Sequence, residues 1–293
     1  MLRIVLFVLT NLAIMLVLSV VAHLFGVDRW AYAHGGINLA GLLVFCAIFG
    51  VGGSLISLLM SKTIAKMSVG AQVIAQPRTP DEKWLFDTLA QHARNAGIGM
   101  PEIAVYDAPD MNAFATGASR DHALVAVSTG LLGSMNRDEV SAVLGHEITH
   151  VANGDMVTLA LIQGVLNTFV MFLARVLGSV IDGMLQGDRD REGGGIGYFI
   201  ITLLLQAVLG VLATLIVMWF SRWREFRADA GGARLGGRAS MISALQTLTR
   251  NAGESSLPKP VQAFGISGQG GIARLFMSHP PIAERIAALQ GGN

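Results

Sequence analysis

Four long apolar stretches dominate the pattern of hydrophobic and polar positions along this chain. They are Ile4–Phe25, Gly35–Ser61, Val157 to about Ile181, and Ile196–Phe220. The first, second and fourth contain no charged residue. Each reaches the roughly 20 residues that an α-helix needs to cross the hydrocarbon core of a bilayer. The pattern therefore predicts four membrane helices.

Arg175 lies inside the third stretch. A charged side chain near the middle of a bilayer is costly, but the long arginine stem can carry its head to the interface. We therefore expect the third and fourth stretches to form a spanning hairpin. The alternative is a hairpin that packs partly on protein and contacts lipid only in part.

The polar segments on either side of this hairpin predict one interrupted domain of ordinary size. The chain then divides into two membrane helices, a first domain part, the hairpin and a second domain part, at residues 1–61, 62–156, 157–220 and 221–293.

The first domain part contains patterns for one helix and three short strands. Its apolar spacing predicts a helix from Asp81 to about Ala96. Runs rich in Val, Ile and Ala, bounded by Asp, Pro and Gly, predict strands at 102–106, 112–117 and 122–127. We expect these strands to form a small antiparallel sheet.

Basic residues flank the apolar stretches unevenly. They lie before the first, after the second and after the fourth, as Arg3, Lys62, Lys66, Arg222, Arg224 and Arg227. The segment Asp182–Glu192 holds four acids and two arginines. Because lysine and arginine mark the cytoplasmic side, we expect both termini and the polar domain to lie in the cytoplasm, at a bacterial-type inner membrane.

Composition narrows the classes of partner. Only 14% of residues are charged and the mean hydropathy is +0.55, which favours the lipid bilayer as a partner. The net charge of +1 gives no electrostatic footprint of nucleic-acid binding. Cys46 is the single cysteine, so no intrachain disulfide forms, as is typical of a reducing compartment. The oligomeric state cannot be read from the sequence.

His146-Glu147-Ile148-Thr149-His150 carries the candidate chemistry. On a helix, residues i and i+4 lie on one face, so both imidazoles can bind one Zn²⁺ and Glu147 can act as general base on a water beside it. Asn136 and Glu139 have the spacing of a capping box that would start this helix. Gly145 weakens helix propensity by about 1 kcal/mol, and close backbone approach of a neighbour would explain it.

A catalytic zinc needs a third protein ligand. The candidates in the second domain part are Glu225, Asp229, Glu254, His279 and Glu284. Glu225 and Asp229 are one turn apart on a helix expected to start near Ser221, so Glu225 can bind zinc while Asp229 accepts a hydrogen bond from a zinc-bound histidine. The competing interpretation pairs both acids with the neighbouring arginines at 222, 224 and 227.

Several blocks together resemble the HtpX family of membrane zinc metalloproteases, relatives of the CAAX prenyl proteases within the gluzincin group. The matching residues are 112–117, 146–150, Ser221-Arg222, Arg224-Glu225-Phe226, Ala228-Asp229 and 276–281, with the four apolar stretches in the same order. The resemblance covers essentially the whole chain. It implies a mainly α membrane protein, with four apolar helices and a cytoplasmic α+β zincin-like metalloprotease domain.

The resemblance also implies roles for single residues. His146, His150 and Glu225 would bind one zinc ion per chain, Glu147 would be the general base and acid, and Asp229 would support a histidine. His279 would stabilise the developing oxyanion, the alternative being a histidine that serves only the helix after Pro281. The edge strand Asn112, Ala113, Phe114, Ala115 and Thr116 would bind an extended substrate, and Asn112 either holds the leaving amine or only makes a turn.

The resulting hypothesis is a zinc endopeptidase that hydrolyses misfolded or damaged membrane proteins at the cytoplasmic face, in membrane protein quality control and the stress response. The alternatives are a processing protease for prenylated C-termini and a non-enzymatic zinc sensor or scaffold. The Gly-, Ser- and Pro-rich segment Asn251–Gly271 is either a lid over the cleft or a solvated linker. Physiological substrates, cleavage preference and regulation do not follow from the sequence.

Overall fold

The computed structural model describes residues 38–186, 196–251, 277 and 279–291. Their elements, in chain order, are α1 (Leu39–Val69), β1 (Gln72–Val73), α2 (Pro80–Ala96), β2 (Glu102–Tyr106), β3 (Ala113–Thr116), β4 (Leu124–Ser128), α3 (Thr129–Ser134), α4 (Arg137–Asn153), α5 (Asp155–Gln186), α6 (Ile196–Gly236), α7 (Arg238–Asn251) and α8 (Ile282–Gly291). The described chain is thus mainly helical, with one small sheet.

These residues form two units. One comprises the residues up to Ile56 together with Ala160–Val217, and the other comprises Ser57–Leu159 and the residues from Met218 onward. Among the described helices, α1, α5 and α6 are long and apolar enough to cross a membrane. The predicted first helix, Ile4–Phe25, lies outside the described residues. The segment Asn251–Gly271, expected to be a lid or a linker, also lies outside them except for Asn251, which ends α7.

Small residues let the apolar helices approach closely in the first unit, as is usual for helices that pack in membranes. Gly50 of α1 lies against the backbone of Thr168 in α5, and Gly178 of α5 lies against the hydroxyl of Thr202 in α6. The guanidinium of Arg175 contacts the Phe45 ring at 5.6 Å and donates a hydrogen bond to the Met171 carbonyl at 3.2 Å. Arg175, the charged residue in the third apolar stretch, therefore has partners within the protein.

The sheet belongs to the second unit and has the strand order β1-β2-β4-β3. β1 and β3 run antiparallel to their neighbours, whereas β2 and β4 are parallel. The predicted strands are present, but the prediction of an antiparallel sheet is wrong. The reason is that β3 takes the edge and β4 lies between it and β2. The uninterrupted apolar run Leu124–Val127, buried at every residue, is typical of such a central strand.

The helix α4 carries the motif His146–His150, which has the pattern HExxH, and it begins at the predicted capping box. The Asn136 side chain accepts a hydrogen bond from the Glu139 backbone, and the Glu139 side chain accepts one from the Asn136 backbone. Gly154, in the left-handed conformation at φ 65°, ends α4. The second oxygen of Glu139 also accepts hydrogen bonds from Ser243 and Thr247, which fixes α7 against α4.

Glycines bring α4 and α6 into close backbone contact. A Cβ built on Gly145 would lie 3.3 Å from the backbone of Gly232, and Gly231 lies directly against the side chain of Thr149. A side chain at these positions would hold the helices apart. This approach explains why the sequence has glycine at 145, in the middle of a helix where alanine is favoured by about 1 kcal/mol.

One expected helix boundary is wrong. No helix starts near Ser221, because α6 is a single helix from Ile196 to Gly236. The apolar stretch and the polar turns after it share one uninterrupted hydrogen-bond ladder, since the sequence has no proline or cap residue that would end the helix at Phe220. Glu225 and Asp229 still lie one turn apart on that helix, as predicted.

Candidate metal centre and catalytic cleft

α4 holds the two motif histidines on one buried face. His146 and His150 are 6% and 7% exposed, and their rings meet edge to face with centroids 4.7 Å apart. Their Nε2 atoms are 3.1 Å apart, close enough to bind the same metal ion. The one-turn spacing of the motif is the direct cause, because i and i+4 side chains on a helix stack along the axis.

Glu225 on α6 brings a carboxylate to the two imidazoles. Its Oε1 lies 3.3 Å from His150 Nε2, and its Oε2 lies 3.6 Å from His146 Nε2. A tetrahedral zinc ion with bonds of about 2.0–2.1 Å separates its ligand atoms by about 3.3–3.4 Å. The two imidazole nitrogens are 3.1 Å apart, each lies 3.3–3.6 Å from one carboxylate oxygen, and one ligand atom from each residue lies within 4.8 Å of the others, so the group can close around a zinc ion.

A buried orphan oxygen supports the same interpretation. Glu225 is 1% exposed, and its Oε1 accepts no hydrogen bond from any residue in the described ranges. A buried carboxylate oxygen without a partner is costly, and a cation held between Oε1 and the imidazoles would satisfy it. Two imidazoles and one carboxylate are also a ligand set that catalytic zinc uses. The residues therefore fit zinc.

Each candidate ligand histidine has a carboxylate at its far nitrogen. Asp229 Oδ1 lies 3.0 Å from His146 Nδ1, and Asp155 Oδ2 lies 2.7 Å from His150 Nδ1. Such partners hold Nδ1 protonated and leave Nε2 as the ligand atom. The sequence pattern predicted Asp229 as the partner of a ligand histidine, but it did not predict Asp155. Asp155 could have been found from the sequence, because it is an acid directly after the helix-ending Gly154 and only five residues from His150.

Arg285 of α8 is a second residue that sequence analysis missed. It is 8% exposed and donates two hydrogen bonds to Asp229, from Nε at 2.7 Å and from Nη2 at 2.6 Å. The same Nη2 lies 3.8 Å from Glu225 Oε2. Arg285 lies at the same helical spacing as Ile282, Ile286 and Leu289, which predicts a buried position. A buried arginine requires an acidic partner, and this pattern could have identified it.

Two of the three arginines near Glu225 contact other groups. Arg227 stacks over the Trp223 ring at 4.8 Å, and Arg222 donates a hydrogen bond to the Met277 carbonyl at 2.9 Å. Arg224 comes no closer than 3.9 Å to Glu225 Oε1. Asp229 pairs with Arg285 instead, so the competing interpretation, in which both acids pair with these three arginines, does not hold for Asp229.

The electrostatics of the site favour positive charge at its centre. Burial lowers the pKa of His146, but the Asp229 and Glu225 carboxylates outweigh it and raise that pKa to about 9. Burial raises the pKa of Glu225, yet the surrounding histidines hold it far below its usual range. Burial also raises the pKa of Asp229, but the hydrogen bonds and charges of Arg285 and His146 outweigh burial, so the pKa is lowered overall. The buried acids thus stabilise a proton or a metal cation on the imidazoles.

A cavity of about 900 Å³ opens beside these groups. Its walls include Glu147, His279 and Asn112 together with the ligands His146 and Glu225. His279 is more than half exposed, and its Nδ1 lies 2.8 Å from Glu225 Oε2. The predicted catalytic residues of both domain parts therefore border one space.

The predicted substrate strand lies at the edge of the sheet. β3 contains Ala113, Phe114, Ala115 and Thr116, and it pairs only with β4 among the described strands. Asn112 lies just before it, with its backbone bound to Ser128 by two hydrogen bonds at 2.9 and 3.0 Å. Within the described ranges, no strand pairs with the outer edge of β3.

Comparisons with known proteins agree with this geometry. Peptidase family M48 matches residues 80–292. The chain is 61% identical to "Protease HtpX" of Xanthomonas euvesicatoria pv. vesicatoria (strain 85-10), over 99% of this chain and 98% of that protein. It is 60% identical to "Protease HtpX" of Xanthomonas oryzae pv. oryzae (strain MAFF 311018), with the same coverage. The crystal structure of S. mikatae Ste24p has a similar fold, with a TM-score of 0.60 and 20% identity over 97% of this chain and 67% of that one.

Proposed function

Because this chain belongs to peptidase family M48, and within it to the HtpX proteases, it is a membrane-bound metalloprotease, and we propose that it is a zinc endopeptidase acting on misfolded or damaged membrane proteins. One observation carries the proposal. Two imidazole nitrogens and one carboxylate converge with the spacing of zinc ligands, beside Glu147 in an open cavity.

In the proposed mechanism, His146, His150 and Glu225 would hold the zinc ion. When bound there, zinc supplies Lewis-acid activation of water and polarisation of the scissile carbonyl. Glu147 takes the proton of the attacking water and passes it to the leaving amine. Asp229 and Asp155 hold the two imidazoles in the tautomer whose Nε2 is free to bind the ion.

The remaining residues of the cleft position the substrate. An extended segment adds to the outer edge of β3 through backbone hydrogen bonds, as a further strand. His279 donates a hydrogen bond to the oxygen of the tetrahedral intermediate, and Asn112 binds the leaving amine. Because strand addition reads the backbone, only chains that can become extended enter, which favours unfolded or damaged segments.

The proposed location follows from the sequence. Glu225 comes five residues after the last apolar stretch ends at Phe220, among the basic residues that mark the cytoplasmic side. We propose that the cleft and both termini lie in the cytoplasm at the inner membrane. A substrate segment that emerges on that side would then be within reach.

The proposal is tested with the full chain purified in detergent. We expect zinc-dependent cleavage of a membrane protein destabilised by a core mutation, slower cleavage of its folded parent, and loss of both with a chelator. Cleavage confined to prenylated peptides would instead indicate a processing protease. Equal cleavage of folded and destabilised substrates would contradict the role in quality control.

Asp155→Asn tests the positioning of His150. The change keeps the size of the side chain but removes the charge that favours the Nδ1–H tautomer, so we expect zinc affinity to fall about 10–100-fold. Competition with a coloured chelator measures this affinity. Asp87→Asn, an exposed acid on α2 paired with Lys83, is the matched control and should bind zinc as the wild type does. Unchanged affinity in Asp155→Asn would remove the assigned role.

A further inference from the structure

The loop between β2 and β3, residues 107–112, forms part of the wall of the catalytic cavity. Four of its residues line that cavity, which also borders Glu147, namely Pro109, Asp110, Met111 and Asn112. The loop leads directly into β3, the strand proposed to bind substrate. Its position therefore decides where an extended substrate lies relative to the general base.

One buried hydroxyl binds this loop at two places. Ser128, the last residue of β4, is fully buried. Its Oγ donates a hydrogen bond to the Asp110 carbonyl at 2.7 Å. The same Oγ accepts one from the backbone N–H of Asn112 at 3.0 Å and one from the backbone N–H of Leu131 at 3.1 Å. Because a hydroxyl has one proton and two acceptor lone pairs, its full hydrogen-bonding capacity is used.

The Ser128 hydroxyl also takes the place of a backbone group at the start of β3. In a hydrogen-bonded antiparallel pair, the two opposed residues exchange both of their N–H···O bonds. Ser128 donates its N–H to the Asn112 carbonyl at 2.9 Å in this way, next to the paired residues Ala113 and Val127. The N–H of Asn112, however, binds the Ser128 hydroxyl. A side chain therefore determines where the edge strand begins.

The third hydrogen bond of the hydroxyl connects the loop to the core. Ser128 is the N-cap of α3, and its contact with the Leu131 N–H is the capping bond. Leu131 belongs to the same core cluster as Val143 and Ile148 of α4, the helix that carries Glu147. The hydroxyl thus links the wall of the cavity to the core in which the motif helix is packed.

From these contacts we infer that Ser128 is a positioning residue of the protease, which holds residues 110–112 and the start of β3 where an extended substrate meets Glu147. The inference rests on the proposed function and identifies what fixes its substrate strand. An alanine at this position would leave three backbone groups without this partner, namely the Asp110 carbonyl and the N–H groups of Asn112 and Leu131. The loop would then shift away from its place in the wall.

The kinetic test uses the full chain in detergent and an unstructured peptide substrate. We expect Ser128→Ala to bind stoichiometric zinc and to raise KM about five- to tenfold with little change in kcat, because weaker strand addition affects substrate and transition state alike. Initial rates and bound zinc per chain measure these effects. An unchanged KM would overturn the inference, whereas absence of cleavage by the wild-type chain would count against the proposed function.

Further variants separate the hydroxyl from general stability. Ser128→Thr keeps the hydroxyl and should have the wild-type KM, whereas Ser128→Cys keeps a similar shape with only a weak acceptor and should raise KM. Thr79→Ala is the matched control, because Thr79 caps α2 through the Glu82 N–H at 3.1 Å but does not line the cavity. The control should keep the wild-type KM. An equal rise in Thr79→Ala, or no rise in Ser128→Cys, would overturn the inference.

Hydrogen exchange tests the position of the loop without turnover. Measured by mass spectrometry, the amides of residues 110–116 should exchange about five- to tenfold faster in Ser128→Ala than in the wild type. The amides of α2 should exchange at the wild-type rate in this variant, and Thr79→Ala should show the opposite pattern. Equal exchange of residues 110–116 in Ser128→Ala and the wild type would contradict the assigned role.

Discussion

Glu147→Gln is expected to retain zinc but to lose cleavage of an unfolded substrate by a factor of about 10²–10⁴. The glutamine keeps the size of the side chain, and residue 147 is not one of the three ligand residues, so the metal site stays intact. An amide cannot accept the proton of the attacking water. The measurement is bound zinc per chain together with kcat on casein or on a destabilised membrane protein.

This variant also separates an enzyme from a zinc scaffold. Three ligands suffice to hold the ion, whereas a carboxylate beside the open position is needed only for hydrolysis. Asp87→Asn on the exposed side of α2 removes the same charge far from the site and should keep full activity. Proteolysis by Glu147→Gln at the wild-type rate would refute the assignment of the general base.

Removal of the third ligand is the change with the second large effect. Glu225→Ala should abolish both stoichiometric zinc and cleavage, because it deletes the carboxylate that bridges His146 Nε2 and His150 Nε2. The loss should exceed the 10–100-fold that removal of an outer partner typically causes. Elemental analysis of the purified chain and a casein assay measure the two effects.

A second variant guards against simple unfolding. Glu225 is fully buried and lies 3.8 Å from Arg285, so its truncation also removes a buried negative charge and leaves a cavity, although Arg285 keeps Asp229. Glu225→Gln preserves the volume and one carbonyl oxygen, and we expect it to fold while zinc affinity still falls by more than tenfold. Wild-type zinc content and activity in Glu225→Gln would contradict the ligand assignment.

The local features of the site could be predicted from the spacing of residues that are close together in the sequence. The HExxH spacing determined that two imidazoles share a helix face, and Asn136 with Glu139 determined where that helix begins. Gly145 correctly indicated close backbone contact, which Gly232 of α6 supplies. These inferences succeeded because the interactions involved lie within one helical turn or depend on the absence of a side chain.

Long-range partners were harder to predict. Asp155 is only five residues from His150, but it follows a helix break whose geometry decides whether the two side chains meet. Arg285 is 56 residues from Asp229, and their pairing depends on how α8 packs against α6. The antiparallel prediction failed for a related reason, since β4 pairs directly and in parallel with β2, although β3 lies between them in the sequence.

The sequence by itself determined the apolar stretches, the metal-binding helix and the kind of chemistry, because each is encoded in residue spacing along one element. Only the tertiary structure decided that Glu225 reaches both imidazoles, that Asp155 lies at His150, and that Arg285 binds Asp229. The physical reason is that these contacts depend on the packing of helices distant in sequence, where a shift of one ångström would separate the ligand atoms.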